Sequence, residues 1–317
     1  MNIGLLARKV YRLLKSGSTH SRDYKNYARY LTETPSTYPT ALFNLTIDLE
    51  LAWSRARKNN GATTTEESLR RGRLARKNLP ALLSLLDSYN IPATFALVGH
   101  VALDNCSGHS QLPKFHPNWI HGDWYDIDPR LAGGQAESNN DYYGLDLVKE
   151  ILKRKRHEIA SHSFSHVDFS DEFTGADVAA FEIAESKKVI EKLGVPLDTF
   201  IFPNNRPAFI DILARNKFTI YRNNRNAKIT PDKYGCWQFP IGIWISPNAF
   251  GPKEAIKLVK TAIEKQQLVN FWFHLHEFDS EKQLREFFEP VLRFVNQSGQ
   301  KGLVRPDTMR DIIKAIQ

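Results

Sequence analysis

Disulfides and cysteine-based metal sites are the first things this sequence excludes. Its 317 residues include two cysteines, Cys106 and Cys236, too few for a disulfide framework and wrongly spaced for a cysteine zinc site. That scarcity points to a reducing compartment. Long apolar runs are also missing. Nothing approaches the roughly 18 consecutive apolar residues of a membrane span. Residues 1–16 lack the uninterrupted apolar stretch, roughly 7–15 residues long, of a signal peptide. A cytoplasmic location is therefore expected. The basic clusters Arg55-Ala-Arg57-Lys58, Arg70-Arg71-Gly-Arg73 and Lys153-Arg154-Lys155-Arg156 carry no interleaved aromatics that could stack on bases, so no nucleic acid partner is expected. Nor is there a His-Glu-x-x-His zinc helix, because His157-Glu158 precedes His162 by one residue too many. No internal repeat is visible.

What remains is the composition of an ordinary soluble globular protein, 42% hydrophobic and 25% charged. Its net charge of +8 favours anionic partners such as phosphorylated or lipid-linked substrates or an acidic membrane surface. Residues 1–40 read as an N-terminal arm. Ile3, Leu6, Val10, Leu13 and Leu14 recur at helical spacing over 1–16, opposite Arg8, Lys9, Arg12 and Lys15. Such a helix docks on the protein body or lies on an anionic membrane at the inner surface. Residues 17–40 are polar and read as a connector.

Residues 41–317 read as one α/β domain. Strands are expected at 41–51, 91–99, 158–161, 199–203, 218–221, 237–245 and 268–273. Helices are expected from 64 onward with a break at Pro80, then at 145–153, 176–193, 252–265, 280–296 and 309–316. This alternation predicts a parallel sheet with helical crossovers. Residues 104–144 follow neither period. With Trp119, Trp124 and Tyr125 close together, they read as a loop that covers a substrate.

Chemistry concentrates at strand ends. Glu158-Ile-Ala-Ser-His-Ser-Phe-Ser-His166 places two imidazoles four residues apart after a short strand, where they can converge on one divalent ion. Taken alone, such a pair serves equally well as a helix cap and a surface residue. A third ligand is needed, and Asp48 and Glu50 supply a choice of two. They end the first strand at period-two spacing, so both point to one face. Buried carboxylates there are costly unless paired or metal-bound. The stretch from Asn204 to Arg206 and His274 also follow strands, at the pole that carries the site in a parallel α/β barrel.

These residues resemble the polysaccharide deacetylases, the NodB-homology group of metal-dependent sugar N-deacetylases. The resemblance rests on Thr46-Ile-Asp-Leu-Glu50, Ala93-Thr-Phe95, the His157–His166 stretch, Phe202-Pro-Asn204 and Phe271-Trp-Phe-His274, in that order across about residues 41–310. Loosely, it is greatest for the subgroup found with surface-polysaccharide assembly. It implies a distorted (β/α)7-type barrel and a single divalent metal, expected to be zinc. It gives Asp48 the place of general base, His274 that of general acid, and His162 and His166 those of metal ligands. The sequence departs from the pattern twice. Leu49 separates the two first-strand carboxylates, leaving Glu50 as the metal ligand. The arginine that orients the base is displaced, with Arg206 and Arg222 as substitutes. Asn204, Arg206, Arg222, Trp124 and His276 form the candidate substrate-binding set, with His276 the alternative acid.

The implied activity is carbohydrate N-deacetylation, hydrolysis of a C–N bond other than a peptide bond. Its substrate would be a precursor, nucleotide-linked or lipid-linked N-acetyl sugar of a surface polysaccharide. Two alternatives are a hydrolase of a non-sugar amide or cyclic imide, and a barrel that binds carbohydrate without turning it over.

Overall fold

The first long strand alternates two kinds of side chain, and that alternation builds the molecule. The computed structural model describes residues 27–34, 38–53, 65–104, 140–170, 174–223, 228–248 and 251–317. Strand β2 (Ala41–Leu49) follows the two-residue β1 (Thr32–Glu33) and is buried throughout. Its Phe43, Leu45, Ile47 and Leu49 face the main apolar cluster, which also takes in Leu82, Ile183, Leu258 and Phe288 from helices. Leu42 belongs instead to a second, smaller cluster. Asn44 and Thr46 hydrogen-bond to each other on that same side, at 3.0 Å. One face therefore packs outward on helices and the other lines a barrel interior.

Seven strands form an all-parallel path in the order β10 (Gln267–His274), β2, β3 (Thr94–Leu97), β4 (Glu158–Ser161), β5 (Thr199–Ile201), β6 (Ile220–Arg222) and β8 (Trp237–Phe239). The short β7 (Thr230–Pro231) pairs with β8 antiparallel. After residues 240–242, β9 (Ile243–Trp244) pairs with β10 and brings the sheet back on itself. A β-carbon at Gly242, whose φ is +73°, would lie 2.2 Å from the Asn270 carbonyl oxygen. Glycine allows that approach, and Asn270 Nδ2 donates to the carbonyls of Pro240 and Ile241. The result is the parallel sheet expected from the alternation, curled into the barrel that the resemblance implies, with the 237–245 strand broken in two at this seam.

Helices α1 (Thr65–Ser88), α2 (Leu145–Leu152), α3 (Ala176–Glu191), α4 (Ile210–Arg215), α5 (Pro252–Lys265) and α6 (Glu281–Gln300) connect the strands. Pro80 does not break α1 as its chemistry predicted. Its ring sits on the exposed side, while Leu79, Leu82, Leu83 and Leu86 stay buried and hold the helix across it. The expected connector is also partly structural, because β1 pairs antiparallel with the edge of β10. The amphipathic stretch 1–16 and the loop containing Trp124 lie outside the described residues. Among the described residues, no helix is long and apolar enough to cross a membrane.

The end of the barrel away from the strand C-termini is closed by α7 (Met309–Ile316). Met309, Ile312 and Ile313 pack with Leu42, Ala96, Ala160, Ile201, Ile220 and Leu268. Glu158 fixes this stopper. Its carboxylate accepts from Thr94 Oγ1, Thr199 Oγ1 and the Arg310 amide. Burial raises its pKa, against the lowering effect of Arg310. Ile312→Ala should therefore cost about 2–5 kcal/mol through lost contacts and a residual cavity, read from the urea midpoint at unchanged slope.

Candidate metal centre

Where β4 ends, the chain turns sharply, and the turn is held from three sides. His162 donates its amide to the Leu97 carbonyl at 2.8 Å. Ser163 and His166 then adopt φ values of 62° and 60°, left-handed conformations that side chains other than glycine rarely take. Such strain persists only where surroundings over-determine it. Here Gly99 and His100 donate their amides to the carbonyls of Ser163 and Phe164. A β-carbon at Gly99 would lie 2.7 Å from the Phe164 ring, so glycine is needed there. From α3, the fully buried Glu182 accepts the amides of Phe164 and Ser165 at 2.9 and 2.7 Å. The His166 amide closes the turn on Ser163 Oγ at 2.9 Å.

Both imidazoles then face Glu50. Glu50 Oε1 lies 3.1 Å from His162 Nε2, 2.9 Å from His166 Nε2 and 3.2 Å from His274 Nε2. One ligand atom from each of Glu50, His162 and His166 lies within 4.8 Å of the others, and the same holds for Asp48, Glu50 and His274. The hydrogen bonding tests whether a cation fits. His162 Nδ1 lies 2.7 Å from the Ile201 carbonyl, which can only accept, so Nδ1 carries the proton. In neutral His162, Nε2 then presents a lone pair to a carboxylate oxygen, which is repulsive without a positive charge between them. Two imidazoles and a carboxylate, one ring already oriented by a backbone carbonyl, form a donor set that suits a divalent ion such as zinc.

Asp48 lies beside this cluster, its Cα paired across the ladder with His274. Arg222, at the end of β6, grips it through two parallel bonds, Nη1 to Oδ1 at 3.0 Å and Nη2 to Oδ2 at 2.7 Å. Burial alone would raise the pKa of Asp48. The Arg222 charge and its hydrogen bonds to both carboxylate oxygens reverse that and leave it below the ordinary value. Glu50 is likewise buried, and the charges of His166 and His274 hold it well below its ordinary value. His274 moves the other way. Burial opposes its charge, but Glu50 and a 2.9 Å bond from Nδ1 to Glu277 Oε1 raise its pKa well above the usual value. Burial, then His274 close by, drives His276 down to about 3, a neutral ring at 5.0 Å from that of His274.

These groups open on a cavity of about 300 Å3, also lined by Arg71, Asn204, Asn205, Trp272, His276 and Glu277. Two expected substrate contacts lie elsewhere. Arg206 is half exposed and sits 3.4 Å from Asp168, and it does not line the cavity. Arg222 is buried behind Asp48, so it reaches the carboxylate and not the cavity. Of the two candidate substitutes for the displaced arginine, Arg222 is the one on Asp48. Glu277 and Glu182 were not anticipated. A glutamate three residues after His274 was a usable signal for the first, since both lie on one short turn; nothing local marks Glu182.

The sequence model of the polysaccharide deacetylase family matches residues 70–210, which include both histidines of the turn but not Asp48, Arg222 or His274. No curated protein matches the chain. A solved Mycobacterium smegmatis protein assigned to the polysaccharide deacetylases superposes with a TM-score of 0.57 at 14% identity, over 90% of this chain and 94% of that one. Puue allantoinase gives 0.58 at 11% identity, over 88% and 93%. A Pseudomonas aeruginosa PAO1 protein, also assigned to the polysaccharide deacetylases, gives 0.55 at 12%, over 86% and 89%. At these identities the structures speak for the barrel fold alone.

The Asp48–Arg222 pair carries a stability prediction. Arg222→Leu leaves a buried carboxylate without its partner and should cost about 3–5 kcal/mol. Adding Asp48→Asn should recover much of that loss, a non-additivity measured by urea denaturation of the two single variants and the double variant.

Proposed function

We propose that this chain, which carries the polysaccharide deacetylase fold and family segment, is a metal-dependent hydrolase that removes an N-acetyl group from a sugar. The products would be acetate and a free amino sugar. The observation that carries the proposal is the convergence of three imidazole nitrogens on Glu50 Oε1, beside an Asp48 kept ionised by Arg222.

Glu50, His162 and His166 would hold the ion, and zinc suits their mixture of nitrogen and oxygen donors. When bound, a divalent ion supplies Lewis acidity toward an amide carbonyl and acidifies water. The chain's own residues supply the rest. Asp48 is the general base that takes the proton of the attacking water. Arg222 fixes the orientation of Asp48 by gripping both oxygens, and its charge keeps Asp48 ready to accept at neutral pH. His274 is the general acid. Glu277 holds its Nδ1, which directs Nε2 into the cavity, 4.0 Å from Asp48 Oδ2. From Nε2 a proton reaches the departing amine, which leaves poorly as an anion. Base and acid thus face one small volume from neighbouring strands. The net charge of +8 favours a phosphate- or lipid-linked sugar as the carrier of the acetamide.

A second reading keeps the centre and changes the substrate to a non-sugar amide or cyclic imide; a protein of this fold is described as an allantoinase. Acetate release across N-acetylated monosaccharides, nucleotide sugars and lipid-linked sugars, run beside a cyclic imide, separates the two.

Two outcomes are expected of the purified protein. Metal analysis should find about one divalent ion per chain after reconstitution, and His162→Ala should lose it; a wild type that binds none would falsify the proposal. Asp48→Asn should keep its metal while losing roughly 10²–10⁴ in kcat, the range for a positioned proton-transfer group. Unchanged turnover in that variant would remove Asp48 from the chemistry.

A further inference from the structure

We infer that Trp244 is a positioning residue for proton delivery: its indole N–H holds Glu277, and through Glu277 it keeps His274 facing the departing amine. This deepens the deacetylase reading above and rests on it, through the role given to His274. Glu277 Oε1 accepts from both groups, 2.8 Å from Trp244 Nε1 and 2.9 Å from His274 Nδ1. Its second oxygen, Oε2, is buried and has no hydrogen-bond partner among the described residues. Glu277 itself ends a single short turn, Leu275–Glu277. Among the described residues, the hydrogen bonding that orients its carboxylate therefore comes from Trp244 and His274 alone.

The strands place Trp244 for this contact. Gly242 lets β9 close on β10, where Trp244 pairs with Trp272 and the Ile245 amide donates to the Trp272 carbonyl at 2.9 Å. Two residues further along β10, the Trp272 ring meets that of His274 nearly at right angles, 5.8 Å between centroids. The acid is thus steadied by one indole directly and by the other through Glu277.

Burial does not account for Trp244, which is 40% exposed, so its N–H is the larger part of what it contributes. Indole Nε1 donates only and carries no charge. It cannot turn round and accept, so Glu277 Oε1 must present its lone pairs and His274 Nδ1 must carry a proton. A lysine or arginine in its place would instead neutralise Glu277, in competition with protonated His274. In the transfer, the C–N bond breaks with its electron pair on nitrogen, the Nε2 proton passes to that nitrogen, and His274 is left neutral. Aim decides the rate of this step, since a misplacement of about 1 Å can cost roughly 10²-fold.

The test is Trp244→Phe, which keeps an aromatic ring and removes the N–H. Its kcat for acetate release from an N-acetyl sugar turned over by the wild type should fall about tenfold. KM should stay within about twofold and the divalent ion should stay bound, as expected of an interaction that acts on the chemical step. Trp244→Leu, which removes the ring as well, should be slowed to a similar extent. In a Glu277→Ala background, Trp244→Phe should cost less than about twofold, because the two residues act through one contact. A Phe variant with the kcat of the wild type overturns the proposal, and so does an undiminished tenfold loss in the Glu277→Ala background. If Glu277→Ala fails to fold, the Phe and Leu variants decide the matter. Either negative result leaves the deacetylase standing. A wild type that releases acetate from no N-acetyl sugar overturns both readings.

Discussion

Two ionised carboxylates within three residues of one another, both buried at the mouth of a barrel, are the constraint that the rest of this structure answers. Neither Asp48 nor Glu50 could sit there unaided, since burying an isolated charge costs far more than a fold can supply. Asp48 is met by a guanidinium that grips both its oxygens, and Glu50 by three imidazole nitrogens. These partners arrive from three strand ends, those of β4, β6 and β10, which is why the ladder must hold its register. A slip of one residue in β2 would turn Asp48 into the helix-facing core and bring Leu49 inward.

The barrel distributes its polar groups by depth. Toward its base, Glu158, Thr94 and Thr199 fasten the stopper helix, and Asn44 and Thr46 join them, Asn44 Nδ2 donating to the Asp307 carbonyl just before that helix. At the rim, Asp48 and Glu50 are kept ionised by the charges of neighbouring side chains. The strained turn carrying His162 and His166 belongs to the same economy of placement. Its left-handed residues are held by Glu182 and by two amides beyond β3, so the ligand geometry is set before any ion binds.

Much of this could be read from the chain. Period-two spacing put Asp48 and Glu50 on one face, and the histidine pair was conspicuous because it followed a short apolar strand. The alternation of strands and helices pointed to a parallel sheet, and the family resemblance to its curling into a barrel. What escaped depended on partners distant in sequence. Pro80 looked like a helix break, yet its ring faces solvent while leucines on the opposite side hold the helix. Arg222 was one of two candidates for the displaced arginine, and only the pairing of β6 beside β5 brings it, and not Arg206, to Asp48. Glu182 left no trace at all, because it acts on backbone amides and those carry no sequence signature. The early pairing of β1 with β10 was hidden in a stretch whose polarity reads as a linker.

The register of β2 against β10 sets Asp48 opposite His274, residues separated by most of the chain's length. Strand β10 takes part both in this rim pairing and in the β9–β10 seam, so the rim and the barrel's closure share one strand. Thermodynamic linkage then runs in both directions. A ligand that prefers the assembled rim tightens the whole cylinder by mass action, and anything that loosens the β9–β10 seam weakens that ligand's hold by the same factor. For this protein, thermal stability is a gauge of occupancy at the mouth.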